Sequence, residues 1–204
     1  MPNVWLFLLA SVAITFAPGP DNMQVLARGI AQGRRAGVAA ALGFAAGCLF
    51  HTTIAAVGMA AVLRSSEWAF HAIKLAGAAY LVWIGFKAVT ARGGLSVAQE
   101  AQGVPLWTVF RQSVLGNMMN PKVTLFFLVF LPQFVNPGAT HAGWQMFLLG
   151  LVFMAQTAVV FSAFGLFAGS LGGWLKRRPG TGRWLDRLAG ATFIGLGIRV
   201  ALPG

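Results

Sequence analysis

Two proline breaks inside apolar runs constrain this chain more than any other feature. The first, Ala17-Pro18-Gly19-Pro20-Asp21-Asn22, lies in a run that starts at Val4 and fades near Ala27. Pro18 and Pro20 lack backbone N–H groups and their rings clash with the preceding turn, so an α-helix cannot pass through intact. Gly19 between them removes the last steric restraint. In water such a segment would be a turn. In a bilayer, a broken helix is tolerated only where it packs in protein or lines a watery cavity. The break also sets Asp21 at the start of a second half-helix, where free N–H groups and the positive dipole end stabilise an anion. A second break, Asn117-Met118-Met119-Asn120-Pro121-Lys122, repeats the arrangement later in the chain. Two interrupted hydrophobic segments in corresponding positions of two halves point to a transporter's binding site.

The surroundings of the breaks are those of a membrane protein. Of the 204 residues 57% are hydrophobic and 9% charged, against roughly 25% charged in a soluble domain. Too few charges remain to cover a water-facing surface. The net charge of +11 does not indicate nucleic acid, because the basic residues sit between apolar runs rather than on one face. Cys48 is the only cysteine, which leaves no intramolecular disulfide and no Cys-based metal site; it reads as a small packing residue. No metal and no cofactor is expected. Met1-Pro2-Asn3 lacks the Lys or Arg of a signal peptide, so the first run is expected to stay as a membrane helix.

Windows of about 20 apolar residues predict six spans: Val4–Ala27, Gly37–Leu63, Glu67–Val89, Ser113–Val135, Ala142–Leu171 and Leu185–Leu202. The connections after spans one, three and five hold eleven of the fifteen Lys and Arg residues. The positive-inside rule places those connections in the cytoplasm and both termini outside. Three spans per half then give the halves opposite orientations. The letters also repeat: Lys74-Leu75-Ala76-Gly77-Ala78 matches Arg187-Leu188-Ala189-Gly190-Ala191, and Tyr80-Leu81 matches Phe193-Ile194. The expected architecture is an all-α integral membrane protein, one membrane domain over residues 1–204. Six transmembrane helices form two inverted three-helix repeats, residues 4–89 and 113–202, with helices one and four broken at the prolines. A cytoplasmic linker covers residues 90–112, where Gly93, Gly94 and Gly103 accumulate. Small residues four apart, Gly29/Gly33/Gly37, Gly43/Gly47 and Gly165/Gly169/Gly173, let backbones approach closely, either inside the protein or across a homodimer.

The Ala17-Pro18-Gly19-Pro20-Asp21 break resembles the first-helix signature of the LysE/RhtB family of amino-acid exporters. So do the run from Lys74 to Leu81 followed by Gly85, and Asn120-Pro121-Lys122 with Phe126-Phe127 and Leu131-Pro132-Gln133-Phe134. The resemblance covers essentially the whole chain. It implies export of amino acids or close derivatives from the cytoplasm, driven by exchange for protons. The lipid bilayer of a bacterial inner membrane is the expected setting.

A zwitterionic substrate needs a partner for its carboxylate, another for its ammonium, and a pocket for its side chain. Lys122 lies deep in span four, where an ionised side chain is costly and usually functional; it suits the carboxylate, or else pairs structurally with Asp21. Asp21 can accept the ammonium, carry the coupling proton, or cap its half-helix. A carboxylate in a partly dry cavity can be tuned to titrate near neutrality, as proton coupling requires. Pro18, Gly19, Pro20 and Pro121 shape the breaks, and Asn22, Asn117 and Asn120 supply donors and acceptors beside them. Gln156 reads as a pocket wall or an interhelical hydrogen bond, and Phe127 as packing or a substrate contact. His51, Lys74 and Tyr80 complete the candidates: His51 as a proton relay or packed residue, Lys74 as a snorkelling side chain in the repeated motif that also holds Tyr80. A membrane-embedded enzyme is disfavoured, since no paired carboxylates with a nearby His or Ser occur in the spans. A channel or non-transporting subunit is the other alternative; no ring of charge is evident.

Overall fold

The computed structural model describes residues 4–17, 19–59, 61–62, 66–90, 103–135, 141–177 and 179–202. All regular structure among them is helical. Helix α1, Val4–Phe16, is apolar apart from Ser11 and Thr15 and ends where the first proline break begins. Helix α2, Pro20–Gln32, starts on Pro20, whose fixed φ suits a first helical position. It stops at Gly33, which adopts φ +87°, a conformation that favours glycine. Helix α3, Arg34–Ile54, continues into one π-helical turn over Ala55–Met59. Helix α4, Glu67–Thr90, is opened by Ser66, whose hydroxyl accepts the Ala69 N–H at 3.1 Å.

In the second half, α5 runs over Leu106–Met118 and α6 over Pro121–Leu125. A π turn at Phe126–Phe130 and a 3-10 turn at Leu131–Phe134 extend α6. Helix α7 is Ala142–Leu166, α8 is Ala168–Arg177 and α9 is Pro179–Ala201. Helix α5 begins earlier than the expected fourth span. Pro105 sets the chain up for a helix start, so the segment from Leu106 to Gln112 is helical rather than linker. The rest of the expected linker, residues 91–102, lies outside the described residues.

Among the described residues, three helices are long and apolar enough to cross a bilayer: Arg34–Met59, His71–Thr90 and Ala142–Leu166. Leu106–Met118 and Pro121–Phe134, bent by 50°, make a fourth if taken as one broken span. The first and sixth expected spans do not meet that test for two different reasons. Helix α1 has 13 residues, about 20 Å at 1.5 Å per residue, and α2 is polar. Helix α9 carries Arg183, Asp186 and Arg187 in its first half. Large apolar side chains remain exposed around the outside, among them Trp5, Leu9, Val57, Phe86 and Val159. So much exposed apolar surface suits lipid and not water.

Glycine contacts set how the helices run past each other. Gly37 meets Gly165, and Thr52 meets Gly150, so α3 and α7 are antiparallel. Gly85 meets Gly190, and Ala78 meets Gly197, so α4 and α9 are antiparallel as well. Gly43 lies on Phe110 and Ser113, and Gly47 on Val114 and Asn117, which makes α3 parallel to α5. On the opposite side, Phe16 stacks edge-on to Phe164 at 5.3 Å, and Gly29 meets Gly165 and Ala168. The α1–α2 pair therefore runs parallel to α7. Of the small-residue stripes, Gly29, Gly37, Gly43, Gly47 and Gly165 make internal contacts, while Gly33 and Gly169 face open space.

Two cores fill the space between these helices. The larger is aromatic, with Phe7, Phe126, Phe127, Phe130, Phe134 and Phe153 buried together. A smaller one holds Val25, Ala40, Ala41, Phe44, Val109 and Phe161. The two breaks lie between them.

A methyl group on Gly37 would come within 2.7 Å of the Gly165 backbone, whereas one on Gly169 would meet nothing within 4 Å. Overpacking of this kind costs about 1–3 kcal/mol. Gly37→Ala is expected to lower the melting temperature of the detergent-solubilised protein by roughly 5 °C. Gly169→Ala is expected to leave it unchanged.

Candidate functional site

The two breaks leave helix ends whose carbonyls have no partner within their own helix. At the first break, Gly19 is extended (φ −169°, ψ 176°) and no side chain caps α2. Asn22 Nδ2 donates to the Thr15 carbonyl at 2.6 Å, and Lys122 Nζ donates to the Ala17 carbonyl at 2.7 Å. At the second, the Asn117 carbonyl accepts His51 Nε2–H at 2.9 Å; a carbonyl can only accept, so the hydrogen sits on Nε2. Side chains thus take over from the helical partners that the prolines remove, joined at the Asn117 carbonyl by the Asn120 N–H at 2.9 Å.

Asp21 stands in the first turn of α2 and does not cap it. Its carboxylate crosses to the other half instead. Asn117 Nδ2 donates to Oδ2 at 2.8 Å and Asn120 Nδ2 donates to Oδ1 at 2.6 Å. Asn120 serves both sides, because its Oδ1 also accepts the Lys122 N–H at 3.0 Å and caps α6. Asp21, Asn117 and Asn120 are 5%, 1% and 3% exposed, so the clamp is dry. Lys122 is half-buried, its Nζ 5.4 Å above the Phe193 ring. It bonds the backbone of the first break rather than the Asp21 carboxylate.

These groups surround a cavity of about 20 Å³, the room of one or two water molecules and too small for an amino acid. Its polar wall is Thr15, Asp21, Asn22, Asn117, Asn120, Lys122 and Thr157. Its apolar wall is Ile14, Cys48, Val123, Phe126, Phe153 and Phe161.

Five of the residues singled out in the sequence therefore line one cavity: Asp21, Asn22, Asn117, Asn120 and Lys122. Gly19, Pro20 and Pro121 shape its rim: a Cβ on Gly19 would sit 3.2 Å from Lys122 Nζ, and the two prolines open α2 and α6. Pro18 lies outside the described residues. Gln156 stands one layer back, donating to the hydroxyls of Thr15 at 2.8 Å and Thr157 at 2.9 Å. Phe127 is packing, fully buried against His51 and Phe153. His51 is buried behind Asn117. Lys74 and Tyr80 are remote from the cavity. Lys74 Nζ donates to the Leu202 carbonyl at 3.3 Å, and Tyr80 packs on Trp83 at 5.3 Å. Thr15, Thr157, Ile14, Phe153 and Phe161 went unnoticed in the sequence, where apolar and hydroxyl residues are common and nothing marks these five. Among the described residues no group of three or more His, Cys, Asp or Glu stands together to hold a metal ion.

A family model described as LysE type translocator matches residues 12–204. The chain belongs to the LysE family. This LysE-family protein is accordingly a membrane transporter and not an enzyme. It is 32% identical over 201 residues to an uncharacterized membrane protein of Vibrio cholerae, covering 98% of this chain and 97% of that one. It is 28% identical over 195 residues to the homoserine/homoserine lactone efflux protein of Salmonella typhimurium, covering 96% and 94%. To the leucine efflux protein of an Enterobacter species it is 29% identical over 203 residues, covering 98% and 95%. No solved structure matches the LysE-family chain.

A double-mutant cycle tests the clamp. Asn120→Ala removes a charge-assisted hydrogen bond and a helix cap, and is expected to cost about 2–3 kcal/mol in unfolding experiments in detergent. In an Asp21→Asn background the same change is expected to cost about 1 kcal/mol less.

Proposed function

We propose that this LysE-family protein exports amino acids or close derivatives from the cytoplasm across the bacterial inner membrane, exchanging them for protons by alternating access. The names of the relatives, efflux proteins for leucine and for homoserine and its lactone, support the substrate class. The observation that carries the reading is the Asp21 clamp. One carboxylate from the first break is held by two amides of the second, beside a cavity that all three residues line.

Six spans in two inverted halves are the architecture this reading takes. The packing directions support it, since α1–α2 runs parallel to α7 as α5 runs parallel to α3. The pairs α3–α7 and α4–α9, each of equivalent helices, are antiparallel. With both termini outside, the Phe7 end of α1 faces outward. There Phe7 packs on Phe134 at 5.3 Å and on Phe126 at 6.2 Å. The α2 end then faces the cytoplasm, where Arg28 donates to Gln112 Oε1 at 2.8 Å. Contacts between the halves thus stand on either side of the breaks. Rocking the halves apart would open one side at a time around the breaks.

Asp21 is the natural carrier of the coupling proton. Protonation removes the charge that Asn117 and Asn120 hold, and so loosens the clamp, leaving the Lys122–Ala17 hydrogen bond between the breaks. Lys122 remains to attract the substrate carboxylate. Only a difference in affinity between the outward and inward states can drive such a cycle.

Efflux of labelled amino acids from vesicles under an imposed pH gradient tests the proposal. Saturable efflux that collapses with the gradient is expected for the wild type. Asp21→Asn and Lys122→Met, matched for abundance, are expected to fall at least roughly tenfold, equivalent to about 1.4 kcal/mol. Normal transport by both variants would mean that the two charges are structural.

A further inference from the structure

We propose that the cavity between the breaks selects net-neutral amino acids with an apolar side chain. Asp21 and Asn117 hold the ammonium, Lys122 the carboxylate, and Ile14, Phe153 and Phe161 the side chain. This rests on the exporter reading above and narrows it.

Charge matching comes first. Among the described residues, Asp21 is the only acid that lines the cavity and Lys122 the only cation there. One carboxylate and one ammonium complement a zwitterion and nothing more. A cationic side chain would bring a further charge into a dry site that holds no second acid, and an acidic one would find no second base. An unpaired buried charge is strongly disfavoured.

The second observation is an unused acceptor. Asn117 donates through Nδ2 to Asp21, while its Oδ1 is buried and has no hydrogen-bond partner. Buried polar atoms are normally satisfied; this one lies against Gly47 of α3, so a donor reaches it only as α5 moves off α3. With the Asp21 carboxylate beside it, that donor is an ammonium. Lys122 supplies the opposite end. Its Nζ carries three hydrogens, and one is used on the Ala17 carbonyl.

The third observation concerns the rest of the wall. Ile14, Val123, Phe126, Phe153 and Phe161 offer no polar atom. Of the two hydroxyls present, Thr15 Oγ1 donates to the Ser11 carbonyl and accepts from Gln156, and Thr157 Oγ1 accepts from Gln156. This stretch of wall is therefore mostly apolar and favours an apolar side chain over a polar one. The cavity of about 20 Å³ is too small for any amino acid, so the full pocket forms as α1, bearing Ile14, parts from α7, bearing Phe153 and Phe161. Bulk at these three positions then sets the size limit.

The test uses the purified wild-type protein in proteoliposomes under a pH gradient, with labelled leucine, methionine, homoserine, lysine and glutamate. Leucine and methionine are expected to move. Homoserine is expected about tenfold more slowly, the scale on which apolar pockets discriminate, and lysine and glutamate at least roughly a hundredfold more slowly. Homoserine or lysine moving as fast as leucine would overturn the selectivity while leaving amino-acid export standing. If no amino acid moves, the exporter reading falls and the selectivity with it. Ile14→Ala is expected to raise phenylalanine efflux relative to leucine by about threefold, and Phe161→Leu repeats the test should the first variant fold poorly. An unchanged ratio in a folded variant would remove these side chains from the pocket.

Discussion

One carboxylate joins the two halves of this protein. Asp21 sits at a helix break, in a segment where a charge at the bilayer centre costs about 2.5–3.5 kcal/mol on insertion scales. Hydrogen bonds to charged groups return about 1.5–3 kcal/mol each, so the amides of Asn117 and Asn120 are the right size to offset that cost. Neither alone would do so securely. Because both donors come from the second break, the charge is tolerated only when the halves are assembled as they are here. Losing either donor exposes the breaks to the same penalty.

The remaining structure positions those two amides. Asn117 ends α5, which lies against α3 at Gly43 and Gly47, and a Cβ on Gly47 would reach 2.7 Å from the Asn117 Cβ. Glycine at that point lets α5 come close enough for Asn117 to reach Asp21 and for its carbonyl to meet His51. Asn120 is held differently, by capping α6 through its Oδ1 while Nδ2 faces Asp21. Lys122, the next residue but one, ties α6 back to Ala17. Backbone satisfaction and charge satisfaction therefore use the same few side chains, which makes the site sensitive to small displacements. That is a useful property for a site proposed to switch between two facing states.

Both breaks are legible in the sequence because proline removes a donor whatever surrounds it, and Asp21, Asn120 and Lys122 stand beside them in the letters. The all-helical membrane class follows equally directly from the apolar runs and the scarcity of charge. What is not legible is who meets whom. Asp21 and Asn120 are 99 positions apart, and nothing local says that an α2 carboxylate turns from its own helix end to another break. Ile14, Phe153 and Phe161 are equally silent, since an apolar residue on a cavity wall looks like one facing lipid. The start of α5 at Leu106 is obscured by Gln99, Glu100 and Gln102 before Pro105 and by Thr108, Arg111 and Gln112 after it. Gln156 illustrates the converse: a polar residue in mid-span draws the eye, yet its amide orients two threonines that line the cavity.

Cys48 offers the most direct test of whether the cavity between the breaks is the transport path. It is the only cysteine in the chain, it is fully buried, and it lines the cavity. A bulky maleimide attached there would fill the space between Asp21, Lys122 and Phe153. The measurement is amino-acid efflux from vesicles in which mass spectrometry verifies complete modification, with Cys48→Ala as the unreactive control. If substrates pass between the breaks, modified protein loses efflux and the control, treated identically, keeps it. Undiminished efflux from fully modified protein would place the path elsewhere and leave the Asp21 clamp a purely structural device.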